Sequence, residues 1–129
     1  MKTALITLGV AAAALLSTGA ASAQAPRPNA QCFRSSDWEG WKATQDGQTM
    51  YVGAGINRAY RFDFVQPCPE LNAVGATLLQ RTDRPYICRP IDVNIRVVRP
   101  GLSISYCQVK TITRLTPAQI KALPRALRP

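Results

Sequence analysis

Residues 59–65 read AYRFDFV. Tyr60, Phe62 and Phe64 fall on one parity, and Arg61 and Asp63 fall on the other. Side chains of a strand alternate between its two faces, so a strand gathers the three aromatics on one side, whereas a helix would scatter them. The segment therefore predicts a half-buried β-strand, and the reading of the chain as mainly β starts from it.

Working upstream, Asn57-Arg58 reads as a turn, and Gly53 and Gly55 mark a bulge or bend. Thr49–Val52 is a short run entered through Asp46-Gly47, a strong hairpin signal. Its partner run carries Trp38 and Trp41, behind Cys32 and Phe33. Downstream, Pro67-Cys68-Pro69 ends the strand, and Val74–Gln80 predicts another. Ile91–Val98 alternates again, with Ile91, Val93, Ile95 and Val97 set against Asp92, Asn94 and Arg96. Arg99-Pro100-Gly101 turns the chain into a long strand over Leu102–Thr113. Its apolar parity slips at Tyr106/Cys107, which predicts a bulge there. Thr116 as N-cap, Pro117 at the first helical position and Gln119 three residues after the cap predict a short helix. Leu115 and Ile120 can staple that helix, Ile120 and Leu123 form its buried edge, and Pro124 stops it. Short strands with regular turn signals and one terminal helix predict a small antiparallel barrel or sandwich.

The first 23 residues, MKTALITLGVAAAALLSTGAASA, have the order of a secretory signal peptide. Lys2 is a positive start, Ala4–Leu16 is apolar, and Ala21-Ser22-Ala23 is an A-x-A cleavage site. The apolar run is shorter than the roughly 20 residues a membrane span needs. Cleavage after Ala23 would leave 106 residues, enough for one domain. Residues 24–31 read as a flexible, Pro-rich lead-in, 32–123 as a single domain, and 124–129 as a loose tail. The expected location is the periplasm or the outside of the cell.

All four cysteines, Cys32, Cys68, Cys88 and Cys107, follow that leader. An even number in an exported chain reads as two disulfides. The nearest two are 19 residues apart and the chain has no histidine, so the close ligand pairs of a zinc site are missing and no metal or other cofactor is expected. One of the four raises a second reading. Cys88 lies in DRPYICRP, residues 83–90, between Arg84 and Arg89, which could lower a thiol's pKa. A nucleophilic thiolate also needs a proton shuttle, and histidine is absent, so a crosslink is the expectation and no free thiol should remain. Three pairings are open to four cysteines. Cys32–Cys107 with Cys68–Cys88 would tie the two ends of the fold and pin its middle, and is the pairing carried forward.

Without histidine, Ser-His-Asp and Cys-His chemistry is excluded. Asp37 and Glu39, beside Trp38 and Trp41, are a conceivable carboxylate pair for a glycosidase. The blander account is a solvated edge. Gly53-x-Gly55 is too short for a phosphate loop. Charge is the stronger signal: the chain carries 16 basic and 7 acidic residues, and 12 of the basic ones are arginine. Arginine offers planar, bidentate donors to carboxylate, phosphate or sulfate. Arg81, Arg84, Arg89, Arg96 and Arg99 fall in one 19-residue segment and are the anion-binding candidates, with Arg58, Arg61 and Arg114 as candidates to join them. A basic surface can equally be a product of base composition. Nucleic acid is not expected, because the aromatics alternate as core and do not line a groove. The expected role is non-enzymatic: a binding or accessory module of the cell envelope whose basic face takes an anionic polymer, a lipid head group or an acidic protein. The alternatives are an inhibitor-like protein blocking an acidic enzyme cleft, and a hydrolase using Asp37 and Glu39.

Several short signatures share one pattern. They are Cys32-Phe33-Arg34, Tyr60-Arg61-Phe62 running into Pro67-Cys68, Tyr86-Ile87-Cys88, Asp92-Val93, and Cys107-Gln108-Val109 ahead of Ile112 and Leu115-Thr116-Pro117. Over Cys32–Leu123 the chain resembles a family of small exported bacterial proteins with four cysteines, a domain of unknown function. The resemblance implies a shared disulfide-pinned β fold. It implies no activity and no site residues.

Overall fold

The computed structural model describes residues 31–101 and 104–129. The leader, its cleavage site and the lead-in up to residue 30 lie outside the described residues. The chain is mainly β, with nine strands among the described residues: β1 (Phe33–Arg34), β2 (Trp38–Ala43), β3 (Thr49–Ala54), β4 (Ala59–Phe64), β5 (Thr77–Arg81), β6 (Tyr86–Ile87), β7 (Asn94–Val98), β8 (Ile104–Cys107) and β9 (Val109–Arg114). One α-helix, α1 (Pro117–Ala122), follows them. The strands form three antiparallel sheets, in the orders β2-β3-β4-β9, β5-β7-β8 and β1-β6. The architecture is sandwich-like and does not close into a barrel.

The parity of residues 59–65 sets the core. Tyr60, Phe62 and Phe64 are buried, as are Met50 and Val52 opposite them on β3. Phe33 packs on Tyr60 with ring centroids 4.5 Å apart, and Trp38 meets Phe62 edge-on at 5.5 Å. The Tyr60 hydroxyl donates to the Cys32 carbonyl at 3.2 Å, which satisfies the one polar atom of a side chain buried inside this cluster. Val93, Ile95, Val97 and Cys107 join the same core from the other layer.

The hairpin at Asp46-Gly47 forms as expected. The Gln48 amide donates to Asp46 Oδ1. Gly47 has φ +68°, and a Cβ there would stand 2.6 Å from the Cys68 carbonyl carbon. Both the left-handed backbone and the close approach demand glycine at that position.

Four expectations are corrected. The disulfides join Cys32 to Cys88 and Cys68 to Cys107, not Cys32 to Cys107 and Cys68 to Cys88. The cause of the first is a ladder: Phe33 pairs with Ile87 and Arg34 with Tyr86, so Cys32 and Cys88 occupy the next rung. The second follows from the exit of β4, where the Val65 amide donates to the Gln108 carbonyl and brings the following turn against Cys107. Among the described residues no cysteine is free.

Ile91 is 84% exposed and Asp92 is buried, the reverse of their expected faces. Pro90 opens a single 3-10 turn over Pro90–Asp92, and the strand begins only at Asn94. The long strand expected over Leu102–Thr113 is two strands in different sheets. The parity slip near Cys107 marks where the chain leaves β7 and crosses to β4. The tail is not loose. Arg125–Leu127 forms a 3-10 turn, and the Arg128 guanidinium donates to the carbonyls of Lys121 and Leu123 at 2.7 and 2.9 Å.

The helix has its expected bounds. Thr116 Oγ1 accepts from the Gln119 amide at 3.2 Å, and Gln119 Oε1 accepts from the Thr116 amide at 2.8 Å. Ile120 and Leu123 are half-buried. Thr116→Ala should cost about 1 kcal/mol in urea unfolding, the usual loss of a side-chain cap. A change near zero would show that the tail packing alone holds the helix.

Candidate functional site

The arginine-rich segment turns around one structural feature. β5 ends at Arg81, residues 82–85 lead to β6, and the 3-10 turn at Pro90–Asp92 returns the chain to β7. The Ser35 amide donates to the Pro85 carbonyl at 3.0 Å and draws the turn at Ser35–Asp37 against this loop. Between these elements lies an open cleft of about 880 Å³. Arg81, Arg84 and Arg96 line it, together with Ser35, Ser36, Thr82, Asn94, Asp83 and Asp92.

Asp92 organises the floor of the cleft. Its Oδ2 accepts the backbone amides of Cys88 at 3.1 Å and Arg89 at 2.9 Å. Its Oδ1 faces Arg89 Nη2 at 3.5 Å and Arg84 Nε at 3.7 Å. Burial alone would raise the pKa of this carboxyl, but the amides of Arg89 and Cys88, and then the Arg89 guanidinium, hold it below the ordinary carboxylate value. Arg84 and Arg89 are largely solvent-exposed, so their ion pairs with Asp92 contribute little stability and act mainly to orient the two guanidiniums.

This answers the question raised by DRPYICRP. Both arginines that flank Cys88 turn to Asp92, and the sulfur is crosslinked to Cys32.

Of the five anion-binding candidates, the cleft brings together Arg81, Arg84 and Arg96, and Arg89 stands beside it on Asp92. Arg99 is apart. It follows the far end of β7, about 16 Å from Asn94 at the rise of an extended strand. Its Nε is buried and has no hydrogen-bond partner among the described residues. Arg58 and Arg114 line a different recess with Gln31 and Thr116, and Arg61 pairs with Asp63 on β4. The sequence reading missed Ser35, Ser36, Thr82 and Asn94 as lining, and took Asp92 for a solvent-facing strand residue. Pro90 before Asp92 was the available signal, since a proline at the first position and an acidic residue two later is the composition of a short helical turn.

The proposed carboxylate pair is not arranged around one cleft. Asp37 Oδ2 accepts from Arg58 Nη2 at 2.9 Å, while Glu39 lines a shallow recess with Trp38, Trp41, Leu78 and Leu79. Among the described residues no group of three or more histidine, cysteine or acidic side chains could hold a metal ion, and no helix is long and apolar enough to cross a membrane.

Comparison with known proteins adds one finding. The model of a family of unknown function, DUF6491, matches residues 1–129. No curated protein and no solved structure matches.

Proposed function

We propose that this chain, which belongs to the family of unknown function DUF6491, is a non-enzymatic binding or accessory module of the cell envelope that holds an anionic partner in its arginine-lined cleft. One observation carries the reading: Arg81, Arg84 and Arg96 come from three separate elements and meet on one open cleft, whose buried carboxylate is already bonded to backbone amides. Guanidiniums held on a sheet and a tight turn present fixed, bidentate donors to phosphate, sulfate or carboxylate. Two disulfides suit an oxidising compartment, and the leader-like first 23 residues agree with an envelope location. An acidic enzyme would be one such partner, and capture of an enzyme with loss of its activity would favour the inhibitor reading.

Affinity capture from native envelope extract tests the proposal. Retention should fall steeply between 0.1 M and 1 M salt, because the screening length shrinks from about 10 Å to about 3 Å. Arg81→Glu with Arg96→Glu should abolish retention at salt where Lys110→Glu with Lys121→Glu, the same charge change elsewhere, leaves it intact. Retention that ignores salt, or that falls equally for both pairs, refutes the cleft.

A further inference from the structure

The sheet β5-β7-β8 has one face on the core and one in solvent, and cross-strand register fixes what the solvent face carries. Leu79, Arg96 and Tyr106 stand in one row, Thr77, Val98 and Ile104 in the next, and Arg81 and Asn94 in the row on the other side. Leu79 is 44% exposed, Ile104 47% and Tyr106 66%. The Arg96 guanidinium lies over the Tyr106 ring, 4.9 Å from its centroid. These three rows contain no acidic residue. The outer face of the β2-β3-β4-β9 sheet differs, since there Arg61 is neutralised by Asp63 at 2.8 Å. The arginine cleft continues from the first face through Arg81 and Arg96 to Arg84 and the exposed Ile91.

A soluble polyanion would satisfy the guanidiniums and leave Leu79, Ile104 and Tyr106 in water. The surface of an anionic bilayer takes both: phosphates meet arginine, and the boundary of the acyl region takes aliphatic side chains and a tyrosine ring. We propose that the solvent face of the β5-β7-β8 sheet docks on an anionic lipid bilayer, with Arg81, Arg84 and Arg96 at the headgroup phosphates and Leu79, Ile104 and Tyr106 at the hydrocarbon boundary. The proposal rests on the arginine-cleft reading and names its partner.

The test is co-sedimentation of the full chain with vesicles of phosphatidylcholine alone or with about one-third phosphatidylglycerol, in parallel with retention on a polyphosphate resin. Binding should require phosphatidylglycerol and should survive added inorganic phosphate. Arg81→Gln with Arg96→Gln should weaken vesicle binding roughly 25-fold, about five-fold for each charge lost near the membrane. Leu79→Ser should weaken it about five-fold and leave polyphosphate retention unchanged, because only apolar contact is removed. Ile104→Ser, at the sheet edge, is a second variant and should lose about three-fold with its melting temperature unchanged. If both apolar variants bind vesicles as the wild type does, or if free phosphate displaces the vesicles, the ligand is a soluble anion. The bilayer proposal then fails while the cleft stands. Equal binding to both vesicle types, unaltered by these substitutions, assigns binding to the apolar run Ala4–Leu16 and also overturns it. Retention on neither vesicles nor polyphosphate overturns the cleft reading together with this one.

Discussion

Replacing Cys68 and Cys107 together with alanine is expected to lower stability by about 4 kcal/mol. The two residues are 39 positions apart, and closing a loop of that length removes conformational entropy worth about this much from the unfolded ensemble. Both cysteines are buried and belong to the core cluster, so the bond also fixes where the two layers meet. Cys68 follows β4 in one sheet, and Cys107 ends β8 in the other. Domains of this size have roughly 5–15 kcal/mol in total. At about 4–8 °C per kcal/mol for about 100 residues, the melting temperature should fall by roughly 15–30 °C. Thermal and urea unfolding of the double variant measure this directly. A fall of only a few degrees would mean that packing between Phe62, Tyr60 and the opposite layer holds the sandwich without the bond.

The disulfide pairing also separates what the sequence could reveal from what it could not. The faces of Tyr60, Phe62 and Phe64 were legible because strand parity is a local rule that needs no partner. The capped helix at Thr116 was legible for the same reason: its signals lie within four residues. The disulfide pairing was not, because it follows from a two-residue ladder joining Phe33 to Ile87 across more than fifty residues. The parity slip at Cys107 was visible, but a bulge and a crossing between sheets leave the same mark in one dimension. Likewise the density of arginines over residues 81–99 was plain, while membership of the cleft depended on where β7 begins and which way it runs. That geometry admits Arg81 and Arg96 and sends Arg99 to the opposite end. Asp92 was misread because one proline converted an apparently alternating strand into a turn, and so reversed the faces of Ile91 and Asp92.

That misread residue carries the second large effect. Asp92→Ala should cost about 3 kcal/mol, because it leaves the part-buried amide hydrogen bonds of Cys88 and Arg89 without their acceptor, at roughly 1–3 kcal/mol for each. Asp92→Asn keeps a carbonyl oxygen for those amides and loses only the charge, so it should cost about 1 kcal/mol at neutral pH. The pH dependence separates the two contributions. The carboxyl's pKa is held below its ordinary value of about 3.9, with burial opposed and outweighed by the amides of Arg89 and Cys88. A depressed carboxylate stabilises fully above that ordinary value, and the stabilisation is lost as pH falls through the folded-state pKa. The gap between wild type and Asp92→Asn should therefore stay constant from pH 7 to 5 and close below about 4. Asp63 on β4 also has a lowered pKa: burial opposes the charge, and hydrogen bonds from Thr49, Arg61 and Thr111 outweigh it. Wild type and variant both contain Asp63, so its titration cancels from the gap. Urea unfolding of both proteins between pH 2.5 and 7 reads the difference. A gap that persists unchanged into acid would mean that the shape of the side chain, and not its charge, closes the turn that sets Arg89 beside the cleft.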